Sequence, residues 1–301
     1  MRVSTNQLYS SNLAGLSRQN SEIAKLQTEL ATGTKIHSAS DNPAAATKLV
    51  ELNRTIERNE QYNTNGDFAY NRLDQSETVL DAVDTALSRI NGLITSGLGK
   101  DTSTRAQLAN QLQDELDIMV DLANVRDGNG DYLYAGLTTD TEPFDDSGTN
   151  VAYTGNDGQR SIQIADGRRV TDGNSGQEVF ENTGAGRSVF AIVESVISEL
   201  SNPLATPVSI QTAVTTATPD LAIAKDNITL VRNSIASRMG MISTEQEINA
   251  QITDTLIDQR SNINDVDLAE AAVKLNQLQT TLQAAQQTFV KTQELSLFNY
   301  I

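Results

Sequence analysis

Apolar positions in the first thirty residues recur at alternating steps of three and four. Between residues 7 and 31, Tyr9, Leu13, Leu16, Ile23, Leu26 and Leu30 fall on one stripe, with Asn20 filling the slot between Leu16 and Ile23. A stripe this narrow predicts a coiled-coil seam rather than the broad face of a globular core helix. Gly33 ends that helix, and residues 34–40 read as a linker. Asp41-Asn42-Pro43 opens the next one, a capping residue followed by proline where its missing N–H is harmless. From Pro43 the chain stays helix-compatible to about Ser96. Its seam is Leu73, Leu80, Val83, Leu87, Ile90 and Ile94, and Gly66 is the expected bend or break. A third helix, at about 102–124, places Leu108, Leu112, Leu116, Met119 and Ala123 on one side.

The period then changes. The turn dipeptides of Asp127-Gly128-Asn129-Gly130 precede a short aromatic run, Tyr132-Leu133-Tyr134-Ala135-Gly136, that reads as a strand. Between Pro143 and Phe180 the apolar spacing is nearer two, as in Val151/Tyr153 and Ile162/Ile164, with turns at 155–158, 166–167 and 172–173. A short helix at about 187–200 follows, then a loop holding Pro203 and Pro207. Helix returns at about 219, with Leu221, Ala224, Ile228, Val231, Ile235, Ile242, Ile252 and Leu256 on its seam, interrupted by Arg238, Glu245 and Asn249. Asp267 and Glu270 match a capping box at the start of the last helix. Its seam runs Ala271, Leu275, Leu278, Leu282, Ala285, Phe289 and Thr292.

The fold expected is therefore mainly α: an elongated rod of long antiparallel helices with paired, coiled-coil-like terminal helices and a small inserted β-rich domain. Residues 1–40 and 262–301 form the terminal pair, labile in the monomer. Residues 41–137 and 219–261 form a helical stalk. Residues 138–218 are the insertion, strand-rich at 142–180, and the simplest packing places it at the far tip.

Composition narrows the function. The 301 residues include no cysteine, so disulfides and thiolate metal sites are excluded. With 22 basic and 39 acidic residues the net charge is −17, which repels nucleic-acid phosphates and anionic membrane surfaces. No segment is apolar for long enough to span a bilayer, and the start lacks the apolar core of a secretory signal peptide. His37, the one imidazole, sits in a Ser/Thr-rich loop without triad or zinc-site partners. Asp127–Asp131 begins like a calcium loop, but Tyr132 and Thr138 stand where glycine and a bidentate glutamate are required. Helix capping accounts for Asp267 and Glu270. No enzyme, cofactor or metal is expected.

What remains is assembly. The terminal seams are rich in Asn, Gln, Thr and Ala and low in charge, and a lone helix of this kind is marginal in water. The candidate assembly and chaperone seam is Leu275, Leu278, Leu282, Phe289, Leu297 and Phe298. Its N-terminal counterpart is Leu13, Leu16, Ile23, Leu26 and Leu30.

Several motifs in order resemble the bacterial flagellin superfamily, and within it the junction-forming, hook-associated branch. They include Met1-Arg2-Val3-Ser4-Thr5-Asn6-Gln7, Leu30-Ala31-Thr32-Gly33 followed by Asp41-Asn42-Pro43-Ala44, and Leu122-Ala123-Asn124 with Tyr132–Gly136. Tyr153-Thr154-Gly155-Asn156-Asp157-Gly158, Leu275-Asn276-Gln277-Leu278-Gln279 and Ser296-Leu297-Phe298-Asn299-Tyr300-Ile301 complete the set. Residues 181–218 carry no matching motif. The resemblance implies a structural subunit of the extracellular flagellum, forming a ring of about eleven copies between hook and filament. It implies another hook-associated protein on one side and flagellin on the other. It also implies type III export without a cleaved signal peptide, and a flagellin-type export chaperone on the C-terminal helix. A minor flagellin and a type III secreted needle-tip-like protein are the alternatives.

Overall fold

The computed structural model describes residues 5–148, 150–182 and 186–298, with side chains described from 9 to 291. The helices are α1 (Thr5–Thr32), α2 (Pro43–Ser96), α3 (Thr102–Ala123), α4 (Val189–Ser201), α5 (Pro207–Asn264) and α6 (Leu268–Phe298). Between α3 and α4 lie two antiparallel ribbons, β1 (Phe144–Asp145) with β2 (Ala152–Tyr153) and β3 (Ser161–Ala165) with β4 (Arg168–Thr171), then a π-helical turn at Gln177–Glu181. The fold is mainly α with a small strand-bearing insertion, as the periodicity predicts. Residues 1–58 with 252–301 make one compact unit and residues 59–251 make another.

The larger unit is built on α2. Leu73, Leu80, Val83, Leu87, Ile90 and Ile94, the whole seam read from its spacing, are at most 2% exposed. Leu112, Leu116, Met119 and Ala123 of α3 and Phe190, Val193 and Leu200 of α4 join the same core. On the α5 side, Leu221, Ala224, Ile228, Val231, Ile235 and Ile242 close it. Gly66 does not break α2. A Cβ there would lie 3.0 Å from the Gln246 amide of α5, which bonds the Asn63 carbonyl and Asp67, so the glycine serves a close helix crossing.

Three further expectations are corrected. First, α5 begins at Pro207 rather than 219 and runs through Pro219. Thr206 and Ser209 cap its start reciprocally, each hydroxyl accepting the other's N–H at 3.0–3.1 Å. Burial of Ile210, Val214 and Ala217 offsets an interior proline that costs about 3 kcal/mol. Second, 132–136 is a buried loop. Apart from one isolated bridge between Tyr132 and Arg126 it pairs with no strand. The Tyr134 and Ala135 carbonyls accept from Gly176 N and Asn156 N, Arg72 donates to the Tyr132 carbonyl at 3.0 Å, and the Tyr134 hydroxyl lies 3.2 Å from Ser76 Oγ. Gly136 turns the loop at φ +73°, where a Cβ would meet the Asn156 carbonyl.

Third, the insertion has no core of its own and is bonded to α2 and α5. Asn65 of α2 donates to the Gln163 carbonyl at 2.8 Å, and Asn249 of α5 donates to the Ile164 carbonyl at 2.9 Å. Arg168 pairs with Glu245 at 2.6 Å, and Arg238 donates to the Thr171 and Gly173 carbonyls. The polar interruptions of the α5 seam are thus the seats of the β3–β4 hairpin. Phe144, Ile164, Val170, Val179 and Phe180 enter the same cluster as the helix seams. Phe144 packs edge-on to Phe180 and tilted against Phe190, with ring centroids 5.0–5.2 Å apart. Ile252, expected on the α5 seam, is 44% exposed; the next half-buried positions after Asn249 are Thr253 and Leu256.

Candidate assembly interface

The smaller unit brings the two predicted terminal seams together. The narrow apolar stripes on α1 and α6 pack on each other. They run antiparallel: Tyr9 meets Phe289 with ring centroids 5.4 Å apart, Lys274 pairs with Glu22 at 3.6 Å, and Thr34 bridges to Asp265.

The loops at the closed end hold the pair in register. Lys35 N donates to the Asn264 carbonyl at 2.6 Å and Val266 N to the Gly33 carbonyl at 3.0 Å. Asn42 caps α2 through Ala45 N, and Asp267 caps α6 through the N–H groups of Ala269 and Glu270. Asp41 Oδ2 accepts from Ser38 N at 2.9 Å and His37 N at 3.1 Å. Those two amides hold its carboxyl below the usual range. His37 is exposed, with Nδ1 3.3 Å from Thr34 Oγ1.

The seam is thin. Among the described residues only Ile23, Leu26, Leu52, Ile56 and Ala271 are buried apolar side chains of this unit. Leu16, Leu30, Leu275, Leu278, Leu282 and Phe289 are half-buried. Leu13 is 51% exposed, so that predicted seam position stands open to solvent. Leu297 and Phe298 end α6, but their side chains lie outside the described residues, as do Met1–Ser4 and Asn299–Ile301 altogether. A groove of about 320 Å³ opens beside the aromatic pair, lined by Asn12, Gly15, Leu16, Ala285 and Phe289.

The chemistry available is packing. Asp127, the head of the calcium-like run, spends one oxygen on the N–H groups of Asn129 and Asp131 and the other on Arg72. Among the described residues no group of three His, Asp or Glu is placed to hold a metal, and no helix is long and apolar enough to cross a membrane.

Known proteins show the same plan. Residues 3–139 match the bacterial flagellin N-terminal helical region. The chain is also 28% identical over 315 residues to the flagellar hook-associated protein 3 of Salmonella typhimurium, covering 99% of both. Its N-terminal part is thus similar to flagellin, and its whole length to hook-associated protein 3. The resemblance to hook-associated protein 3 extends through the insertion, including 181–218, which carries no matching motif. Among solved structures, FlgL of Xanthomonas campestris superposes with a TM-score of 0.64 at 18% identity, over 70% of this chain and 99% of its own. The flagellar junction protein FlgL of Legionella pneumophila gives 0.59 at 15%, over 72% and 99%. At these identities the superpositions establish a shared fold.

The seam residues were legible because their period is strict. The hairpin seats Arg238, Glu245 and Asn249 were visible only as interruptions, since their partners lie 64–85 residues away in the chain.

Proposed function

We propose that this flagellar protein is the structural junction subunit between hook and filament, working by packing between subunits rather than by catalysis. The observation that carries this reading is the end-to-end similarity to hook-associated protein 3, insertion and tail included. Copies form a ring, with another hook-associated protein on one face and flagellin on the other. The copy number of about eleven comes from the family resemblance.

The thin seam between α1 and α6 supports a second part of the proposal. Residues 1–40 and 262–301 stay labile in the monomer and gain their full burial only between neighbouring subunits. Before that, a flagellin-type chaperone covers the stripe of Leu275, Leu278, Leu282 and Phe289, and the chain leaves by type III export without signal-peptide cleavage. A chain with no disulfide to break suits passage in an unfolded state.

Deletion tests the reading. Loss of the chain should leave hooks without filaments and flagellin shed into the medium. Filaments that persist with altered composition would identify a minor flagellin instead.

A further inference from the structure

The negative charge is confined to one of the two units. Residues 1–58 with 252–301 hold 10 basic and 11 acidic residues, a net of −1, while 59–251 hold 12 basic and 28 acidic, a net of −16. Within that acidic unit the outer face of α3 presents Asp114, Asp117 and Asp121, all exposed.

The outer face of α5 is different. Ile223, Leu230, Met241 and Ile248 are 43%, 67%, 40% and 41% exposed. Their spacings of 7, 11 and 7 return to one side of a helix at 3.6 residues per turn. This stripe is separate from the inward seam, which is fully covered. Of the 16 exposed residues on α5 between 222 and 250, only Asp226 and Glu247 are charged.

We propose that this stripe is the surface through which the acidic unit meets a second copy of the chain, side by side. Resting on the junction-ring reading, the inference names the lateral contact of that ring. Two copies with a net charge of −16 in this unit repel wherever acidic faces meet, and α5 is the long face from which acids are nearly absent. A subunit in a single ring has its own kind at its flanks and other proteins at its ends. A face nearly free of acids is the one a neighbour of net charge −16 can approach, so the occupant is another copy.

The area agrees with a contact that works only in an array. From Ile223 to Ile248 the stripe is about 37 Å long at 1.5 Å per residue, and with a helix width of about 10 Å it offers about 370 Å². Two copies would bury about 740 Å², below the roughly 1,200 Å² of a stable specific pair. Alone it leaves a soluble monomer; repeated around a ring and added to the terminal helices, it aligns the subunits.

The test encodes the photo-crosslinker p-benzoylphenylalanine at Leu230 of the full chain, in cells lacking the native copy. Restored filaments would first establish that the variant does the junction's work; filaments needing no copy at all would defeat the junction reading and leave the cross-link to be judged separately. Illumination should then give a product of twice the chain's mass, absent when the probe sits at Asp117 on α3. A product joining the chain to a different protein would overturn the second-copy assignment. No product from intact filaments would show that the stripe is never covered.

Discussion

Arg72 on α2 and Asp127 in the loop after α3 form an ion pair with both side chains about 5% exposed. Arg72 also holds the Tyr132 carbonyl, and Asp127 holds two amides of its own turn, so the pair fastens the exit of the helices to α2. Removing one member strands the other charge without water.

Arg72→Ala should therefore cost about 3–5 kcal/mol. In a unit of this size that lowers Tm by roughly 10 °C. Calorimetry on the full chain reads it directly. A change under about 1 kcal/mol would mean water reaches Asp127 and the pair is not closed.

Deleting 145–180 and joining the ends by a short turn should unfold the larger unit. Ile164, Val170, Val179 and Phe180 leave the shared core, and each contributes about 1.5–3 kcal/mol. That total matches the whole stability of an ordinary domain. Far-UV CD that stayed strongly helical with a cooperative melt would show that the helices stand without the insertion.

Leu278→Asp with Leu282→Asp attacks the terminal pair alone. Both leucines are half-buried, so the loss is about 2–3 kcal/mol, or a thirty- to hundred-fold weaker contact. Chaperone affinity by titration calorimetry should fall by that factor and junction assembly should fail. The melt of the larger unit should not move; if it does, α6 belongs to the monomer's core.

Limited proteolysis of the isolated chain should cut first within 1–40 and 262–301 and leave a fragment containing 59–251. Hydrogen exchange should rank the segments in the same order. Uniform protection along the chain would contradict the lability of the ends.

Acid should loosen the 34–42 loop late. Asp41 has its folded pKa below the ordinary 3.8, so its stabilising bonds are complete above that value and are lost only as pH falls through the lowered one. The His37 and Ser38 amide resonances should titrate with a midpoint below 3.8, and Asp41→Asn should abolish the transition. A midpoint at or above 3.8 would mean that neither amide holds the carboxylate in solution.

Much of this architecture follows from spacing alone. The six α2 seam residues read from their spacing are all enclosed by the core, where Ala69, Val79 and Ala86 of the same helix join them. The reading fails where distant parts of the chain decide. Pro203 and Pro207 suggest a loop up to 219, yet α5 starts at Pro207, where burial of Ile210 and Val214 favours the helix. The apolar alternation of 132–136 imitates a strand, but its backbone bonds go to scattered loop positions at 125, 139, 156 and 176, and side chains of α2 take the Tyr132 carbonyl and the Tyr134 hydroxyl. Leu13 fits the α1 repeat and is nonetheless open to solvent.

The β3–β4 hairpin has a mechanical consequence. It bonds α2 through Asn65 and α5 through Arg238, Glu245 and Asn249, so it ties the two longest helices at one axial level. A pull along either helix loads these bonds in shear, all at once. Sliding α5 by a single turn, about 5.4 Å, would break its bonds from Arg238, Glu245 and Asn249 together. The hairpin acts as a pawl that permits bending and forbids slip.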